Sequence, residues 1–201
     1  MNDKPWLAHY DKGVPQTFEI PQVPLYHFLE ESARKFPDRA CSIFKGAVIT
    51  FREMNALSDS IAAALVDMGV KKGDRVGIFM PNTPQFVMTY FGILKAGGVV
   101  VATNPLYTPP EIEHQASDAG IEYMFVMTNF YETIKKAQPK TRIKKMIVTN
   151  LKETLPPVLR VLFTLAREKK GGFRNDGGLR DGDNRLPCLL ANYKGASIPK
   201  L

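Results

Sequence analysis

Apolar positions recur at helical spacing over residues 25–36, at Leu25, Phe28, Leu29, Ala33 and Phe36, and Pro37 stops the run. Two short apolar-alternating segments, 41–45 and 47–50, flank a turn at Gly46 and read as a hairpin. From there the period alternates between 3.6 and a continuous short run. Thr50 and Glu53 form a capping box for a helix with Leu57, Ile61, Ala64, Leu65 and Met68 on one stripe, and Gly69 ends it in a left-handed conformation. Residues 75–80 predict a strand. Thr83 caps the next helix, with Pro84 at its first position and Val87, Tyr90, Phe91 and Leu94 as its buried stripe. Gly97-Gly98 ends that helix before an apolar strand at 99–102. Thr108 and Glu111 make a second capping box, followed by strands at 123–127 and 145–149 around a short helix at 130–137.

Strand–helix–strand units with apolar strands this short imply an α/β fold, a parallel sheet flanked by helices on both faces with right-handed crossovers. Outside the 25–150 core the pattern changes. Residues 1–24 hold Pro5, Pro15, Pro21 and Pro24 and no periodicity, so they read as an extended arm. Trp6, Leu7, Tyr10 and Phe18 are poorly suited to a free tail, and the arm is expected to lie on its own domain or on a partner subunit. Residues 151–201 read as a basic apolar helix at 156–170, a mobile glycine-rich loop at 171–184, a brief apolar segment at 186–190 and an irregular tail.

Composition adds little to this picture. The 201 residues carry a net charge of +7, and about ten basic against five acidic side chains lie after Asn150. That excess suits an anionic partner without choosing one. Two cysteines, Cys41 and Cys188, without metal-ligand spacing read as free thiols of a reducing compartment, and no apolar run reaches the ~20 residues a membrane span needs. A cytoplasmic protein is expected.

Candidate chemistry is sparse. Gly171-Gly172-Phe173-Arg174-Asn175-Asp176-Gly177-Gly178 lacks the preceding strand and following helix of a phosphate cradle, and reads as a flexible linker. The glycines of 92–98 lie at a helix end, whose partial negative charge repels phosphate, so Lys95 reads as a solvated last-turn cation. His9, His27 and His114 are too scattered for a metal site, and His114 reads as a surface residue on a polar helix face. No serine lies in a nucleophile elbow, and Ser58 and Ser60 sit beside an apolar helical stripe. Asp74 reads as a turn aspartate that organises backbone N–H groups. The helix at 156–170 carries two open readings: an amphipathic helix on an anionic membrane, or one packed on a further part of the protein.

Three stretches, taken in order, carry a resemblance: Gly73-Asp74-Arg75-Val76-Gly77-Ile78-Phe79-Met80-Pro81-Asn82, Tyr90-Phe91-Gly92-Ile93-Leu94-Lys95-Ala96-Gly97, and Asn104-Pro105-Leu106-Tyr107-Thr108. They resemble the opening half of the large domain of AMP-forming acyl-CoA synthetases, with Thr50-Phe51-Arg52-Glu53 similar to that family's entry to its first core helix. The arm, Trp6-Leu7-Ala8-His9-Tyr10 with Val14-Pro15, resembles the start of the bacterial long-chain fatty acid–CoA ligases. The resemblance implies an N-terminal piece of such a ligase, which joins a fatty acid to CoA through an acyl-adenylate. The family's Thr-Ser-Gly-Thr-Thr-Gly-x-Pro-Lys loop and its later motifs do not occur in these residues. The resemblance therefore assigns no catalytic, cofactor-binding or metal-binding residue. It implies a chain inactive alone, with ATP, Mg²⁺ and CoA belonging to the full-length enzymes. The partners it implies are a second copy through the arm, the C-terminal part of the ligase, and peripheral contact of 156–170 with an anionic inner-membrane surface. A stand-alone interaction or membrane-surface module is the alternative. Nucleic acid is not implied, because no aromatic–basic platform accompanies the charge.

Overall fold

The structure, a computed structural model, describes residues 4–175, 177–180 and 182–197. A helix α1 (Tyr26–Lys35) precedes an antiparallel hairpin, β1 (Ala40–Phe44) and β2 (Ala47–Thr50). Its two-residue turn, Lys45-Gly46, has positive φ at both positions, the geometry whose twist matches paired strands. The chain then runs α2 (Phe51–Asp67), β3 (Arg75–Phe79), α3 (Pro84–Lys95), β4 (Val99–Ala102), α4 (Pro109–Ala119), β5 (Tyr123–Met127), α5 (Tyr131–Ala137), β6 (Lys145–Thr149), α6 (Pro157–Ala166), β7 (Asn184–Arg185) and α7 (Leu186–Asn192). The five strands β3 to β7 form one parallel sheet in the order β4-β3-β5-β6-β7. The α/β architecture expected from the apolar pattern is the one observed.

Alternation along the strands divides the core. Val76, Ile78, Phe125, Met127 and Ile147 face the side covered by α1, α2, α3 and α7. Phe79, Met124, Val126, Met146 and Val148 face α4 and α5. Both capping glutamates reach back as expected: Thr50 N donates to Glu53 Oε2 at 2.8 Å, and Thr108 N to Glu111 Oε2 at 2.7 Å. The Thr108 hydroxyl and amide together hold the Glu111 carboxyl below its ordinary range. Asp74 accepts from Lys71 N at 2.8 Å, the turn role expected of it.

Two expectations need correction and two are narrowed. The fully buried side of α3 is Gln85, Met88, Thr89, Gly92 and Ile93, while Val87, Tyr90, Phe91 and Leu94 are half-buried. The reason is the crossing with α2: a Cβ on Gly92 would lie 2.5 Å from Ile61 Cγ2, so the helices meet where α3 has no side chain. Lys95 is buried rather than solvated, its Nζ 2.6 Å from Asp59 Oδ1 and 2.8 Å from Asn55 Oδ1 on α2. The arm does not bury its aromatic residues on its own domain. It makes one 3₁₀ turn at Pro5–His9 and leaves Trp6, Tyr10 and Phe18 exposed.

The fourth concerns the glycine-rich stretch read as a mobile loop. It ends in β7, and Asp183 anchors it. That carboxylate has no exposed surface. It accepts from Lys135 Nζ and the Tyr131 hydroxyl at 2.8 Å each, and from Met146 N at 2.7 Å. Arg180 N donates to the Tyr131 oxygen at 2.8 Å, and its guanidinium grips Glu132 at 2.6 Å. β7 then leads straight into α7, whose Leu186 and Leu189 join the core beside α2. Polar partners hold this segment, so an apolar period could not reveal it.

Gly92→Val is expected to lower unfolding free energy by roughly 2–3 kcal/mol, because the α2–α3 contact has no room for a branched side chain. Urea unfolding followed by circular dichroism measures it. Asp183→Asn removes one carboxylate from beside the buried Lys135 ammonium and puts an amide donor against it and the Tyr131 hydroxyl, and is expected to cost about 3 kcal/mol. The asparagine oxygen still accepts from the Met146 amide, so hydrogen exchange should quicken first at the Arg180 amide, which is held through the Tyr131 hydroxyl.

Candidate functional site

In the order β4-β3-β5-β6-β7 the chain enters at β3, turns to β4 on one side, and then crosses to β5, β6 and β7 on the other. Such a reversal opens a crevice outside the carboxyl ends of the strands, the usual ligand position in open α/β sheets. The residues that meet at this rim are polar. The Thr128 hydroxyl donates to Thr149 O at 2.7 Å. Gln85 Nε2 donates to Asn150 O at 3.1 Å, and Thr154 Oγ1 donates to Gln85 Oε1 at 3.0 Å. Asn150 Nδ2 donates to Phe173 O at 2.8 Å and to Glu168 Oε1 at 3.1 Å, and Lys152 Nζ pairs with the same Glu168 oxygen at 2.7 Å. These bonds fasten the 151–173 segment across the ends of β5 and β6.

Three buried polar atoms at this rim have no hydrogen-bond partner among the described residues: Thr83 Oγ1, Thr103 Oγ1 and Asn129 Oδ1. They lie on the loops that follow β3, β4 and β5. Leaving such an atom unpaired costs about 1–3 kcal/mol. Native structures keep few of them, and each one calls for a cause. Thr83 corrects a further expectation. It stands at the N-cap of α3, but its hydroxyl makes no cap hydrogen bond, while its own carbonyl takes the Phe86 N–H at 3.0 Å.

Thr149 Oγ1 donates to Glu153 Oε2 at 2.6 Å. Burial pushes the Glu153 carboxyl above the ordinary carboxylate range, opposed by that hydroxyl and by the charges of Arg185 and Lys152.

The other residues singled out by sequence are occupied elsewhere. Ser58 and Ser60 are buried on α2 and donate to Asn55 O at 2.8 Å and Ala56 O at 3.0 Å. His114 is exposed on α4. Among the described residues, no three metal-ligating side chains cluster. Cys41 is half-buried, which raises its thiol pKa, and Cys188 is exposed. Gly172 lies against Asn129, so the glycine-rich segment closes over the rim rather than opening a helix. The rim network escaped the sequence reading. Its one visible signal is a threonine at or just past the ends of β4, β5 and β6: Thr103, Thr128 and Thr149.

A profile of the AMP-binding enzyme family matches residues 29–170. The chain belongs to the AMP-binding enzyme family. It is 36% identical over 170 residues to a long-chain-fatty-acid–CoA ligase of Bacillus subtilis, covering 85% of this chain and 30% of that one. A ligase of the same description from Yersinia pestis is 38% identical over 155 residues, covering 76% of this chain and 28% of that one. The chain therefore spans less than a third of these relatives, at their N-terminal part. Among solved structures, a long-chain-fatty-acid-CoA ligase of Archaeoglobus fulgidus superposes with a TM-score of 0.71 at 21% identity, over 96% of this chain and 34% of that one. The N-terminal domain of FACL13 from Mycobacterium tuberculosis superposes with a TM-score of 0.59 at 25% identity, over 63% of this chain and 34% of that one. The AMP-binding match runs from within α1 to just past α6, so it includes the polar rim except Phe173 and leaves out the arm, β7 and α7.

For a carboxyl with a raised folded-state pKa, stability falls as pH climbs from the ordinary carboxylate range through the folded value. Glu153→Gln keeps an acceptor for the Thr149 hydroxyl and removes the buried charge. The variant is expected to be more stable than the parent at neutral pH, and the gap should close as pH drops below the ordinary carboxylate range. Urea midpoints measured across that span check it.

Proposed function

We propose that this chain is the amino-terminal scaffold of a long-chain fatty acid–CoA ligase, an enzyme that converts ATP, a fatty acid and CoA into acyl-CoA, AMP and pyrophosphate. The observation that carries the reading is identity of 36–38% over 76–85% of the chain with relatives that bear that description. The chain's own residues do not fit a triphosphate. The glycines of 92–98 lie at the carboxyl end of α3 and at the Gly98 approach to Asp74 O, with no free row of amides at a helix start. Gly171 and Gly172 are folded against Phe173 and Asn129. No step through ATP, Mg²⁺ or CoA is assigned to these residues.

In this reading the chain supplies the strands and helices behind the cleft, and the catalytic groups come from sequence beyond the third that it matches. The unpartnered Thr83, Thr103 and Asn129 atoms support a rim that faces further protein or substrate. The unpaired thiols of Cys41 and Cys188 support a reducing, cytoplasmic setting. Among the described residues, no helix is long and apolar enough to cross a membrane.

The purified 201-residue chain is expected to show no ATP–pyrophosphate exchange with oleate. A chimera carrying this chain in place of the matching N-terminal part of the Bacillus subtilis relative is expected to form oleoyl-CoA. Exchange by the chain alone would overturn the scaffold assignment. A folded chimera that makes no acyl-CoA would overturn the ligase assignment.

A further inference from the structure

An open apolar groove of about 580 Å³ runs along α6. Leu159, Leu162, Phe163 and Ala166 line it from the helix, and Leu155 and Phe173 from the segments before and after. The four helix positions follow one another at i, i+3, i+4 and i+7, so they form one face. That face is not buried by the chain itself: Leu159 and Leu162 keep 40% and 54% of their surface. The groove is nonetheless held in shape. Arg160 folds back, its Nε and Nη2 donating to Lys152 O and Glu153 O at 3.1 Å each. Phe163 meets Phe173 edge to face, ring centroids 5.3 Å apart.

Charge in the groove has one sign. Its lining includes Lys45 from the turn between β1 and β2, and Arg167 and Lys170 from just past α6. All three are exposed and pair with no carboxylate among the described residues. No Asp or Glu among the described residues lines the groove. The nearby acids are turned inward: Glu168 to Lys152 and Asn150, and Glu153 to Thr149. Two elements far apart in sequence thus bring cations to one apolar strip.

We propose that this groove docks an amphipathic helix of a separate protein, with aliphatic side chains on the face that enters and Asp or Glu along its flanks. Shape selects a helix. A concave apolar strip receives side chains spaced at i, i+3, i+4 and i+7, the helix-in-groove mode of recognition. Charge selects the sign. Carboxylates on the guest's flanks meet Lys45, Arg167 and Lys170 at a wet rim, where such pairs set orientation and speed encounter. A second copy of the chain brings the same cations to the contact, and like charges repel there. A permanent cover would take the three cations out of water, at a cost of several kcal/mol for each one left unpaired. A reversible partner leaves them hydrated when it departs. Nothing in this proposal depends on the ligase reading.

Fluorescence anisotropy of a labelled peptide titrated with the full chain tests it. The probe is a helix of about five turns, with leucine at i, i+3, i+4 and i+7, glutamate on the flanks and alanine behind. Saturable binding is expected at low salt, weakening as salt screens the rim. A peptide with lysine in place of glutamate should bind about tenfold or more weakly, and so should the glutamate peptide broken by a central proline. Leu162→Gln should cut binding about tenfold, because it removes aliphatic lining from the groove. Lys45→Glu with Lys170→Glu should reverse the preference between the glutamate and lysine peptides. Val161→Gln with Leu165→Gln, outside the groove, should leave binding unchanged. All these side chains are exposed, so circular dichroism and the urea midpoint should stay those of the parent. Absence of saturable binding at low salt would overturn the proposal, as would equal binding of the two peptides or undiminished binding by Leu162→Gln. Self-association in the ultracentrifuge that Leu162→Gln abolishes, without peptide binding, would assign the groove to a second copy instead. Pelleting with phosphatidylglycerol vesicles, again without peptide binding, would assign it to a lipid surface.

Discussion

A parallel sheet cannot be left open on either face, because its strands carry apolar side chains both ways, and the rest of this structure follows from meeting that demand. Val76, Ile78 and Phe125 require α2 and α3 on one side, and Phe79, Met124 and Val126 require α4 and α5 on the other. Covering the first face with two helices forces them close together. Gly92 supplies the gap into which Ile61 fits, and Lys95 and Asp59 close the polar end of the contact. A buried ammonium is tolerated there because it keeps its carboxylate and two oxygens of Asn55 within reach. Covering the far end of the same face requires α7, and α7 can be delivered only if the chain first lays down β7. Asp183 makes that possible by matching three donors at once.

Much of this was legible in the residues. β5 and β6 fall where continuous apolar runs put them, β3 ends one residue short of the expected Met80, and Gly69 ends α2 in the left-handed region. Capping boxes are local and chemical, so Thr50–Glu53 and Thr108–Glu111 could be read directly. What failed was non-local. Bulk marks the apolar stripe of α3 at Val87, Tyr90, Phe91 and Leu94, but the closest helix approach selects the smallest residue, Gly92. Lys95 obeys the helix dipole and still turns inward, because Asp59 on another helix is the better partner. β7 consists of Asn184 and Arg185, with no apolar signal at all. Its position is set by Lys135 and Tyr131, which lie far away in sequence.

Recognisable lineage and recognisable chemistry are distinct in this chain for a physical reason. The residues that carry the resemblance, such as Gly77, Gly92 and Gly97-Gly98, are fixed by packing and turn geometry. A Cβ on Gly77 would crowd Met124 Cγ at 3.2 Å and Ile121 Cγ2 at 3.3 Å. Gly97 carries a φ of 75°. These constraints persist wherever the fold persists, whatever the substrate. Groups that handle phosphate or a carboxylate answer to transition-state charge instead, and need amides or cations converging on one point. None of the matched motifs supplies that.

The two ends of the sheet differ in how completely they are finished, and the difference locates function better than any single side chain. At the amino ends, connections are tight and self-sufficient. Gly73 N donates to Gly97 O at 2.9 Å, Lys144 N to Glu122 O at 2.8 Å, and the Lys144 ammonium pairs with Glu122 at 2.6 Å. At the carboxyl ends, three loops hold unpartnered buried atoms, and the connection leaving β6 ends in an apolar helix with no cover. Stability alone would have paired or removed those groups. Of the five unpartnered buried atoms among the described residues, Thr89 Oγ1 and Gln115 Oε1 lie on α3 and α4, and the other three lie together on the rim where the strand order reverses, which argues that this is the side on which the fold meets what it acts on or joins.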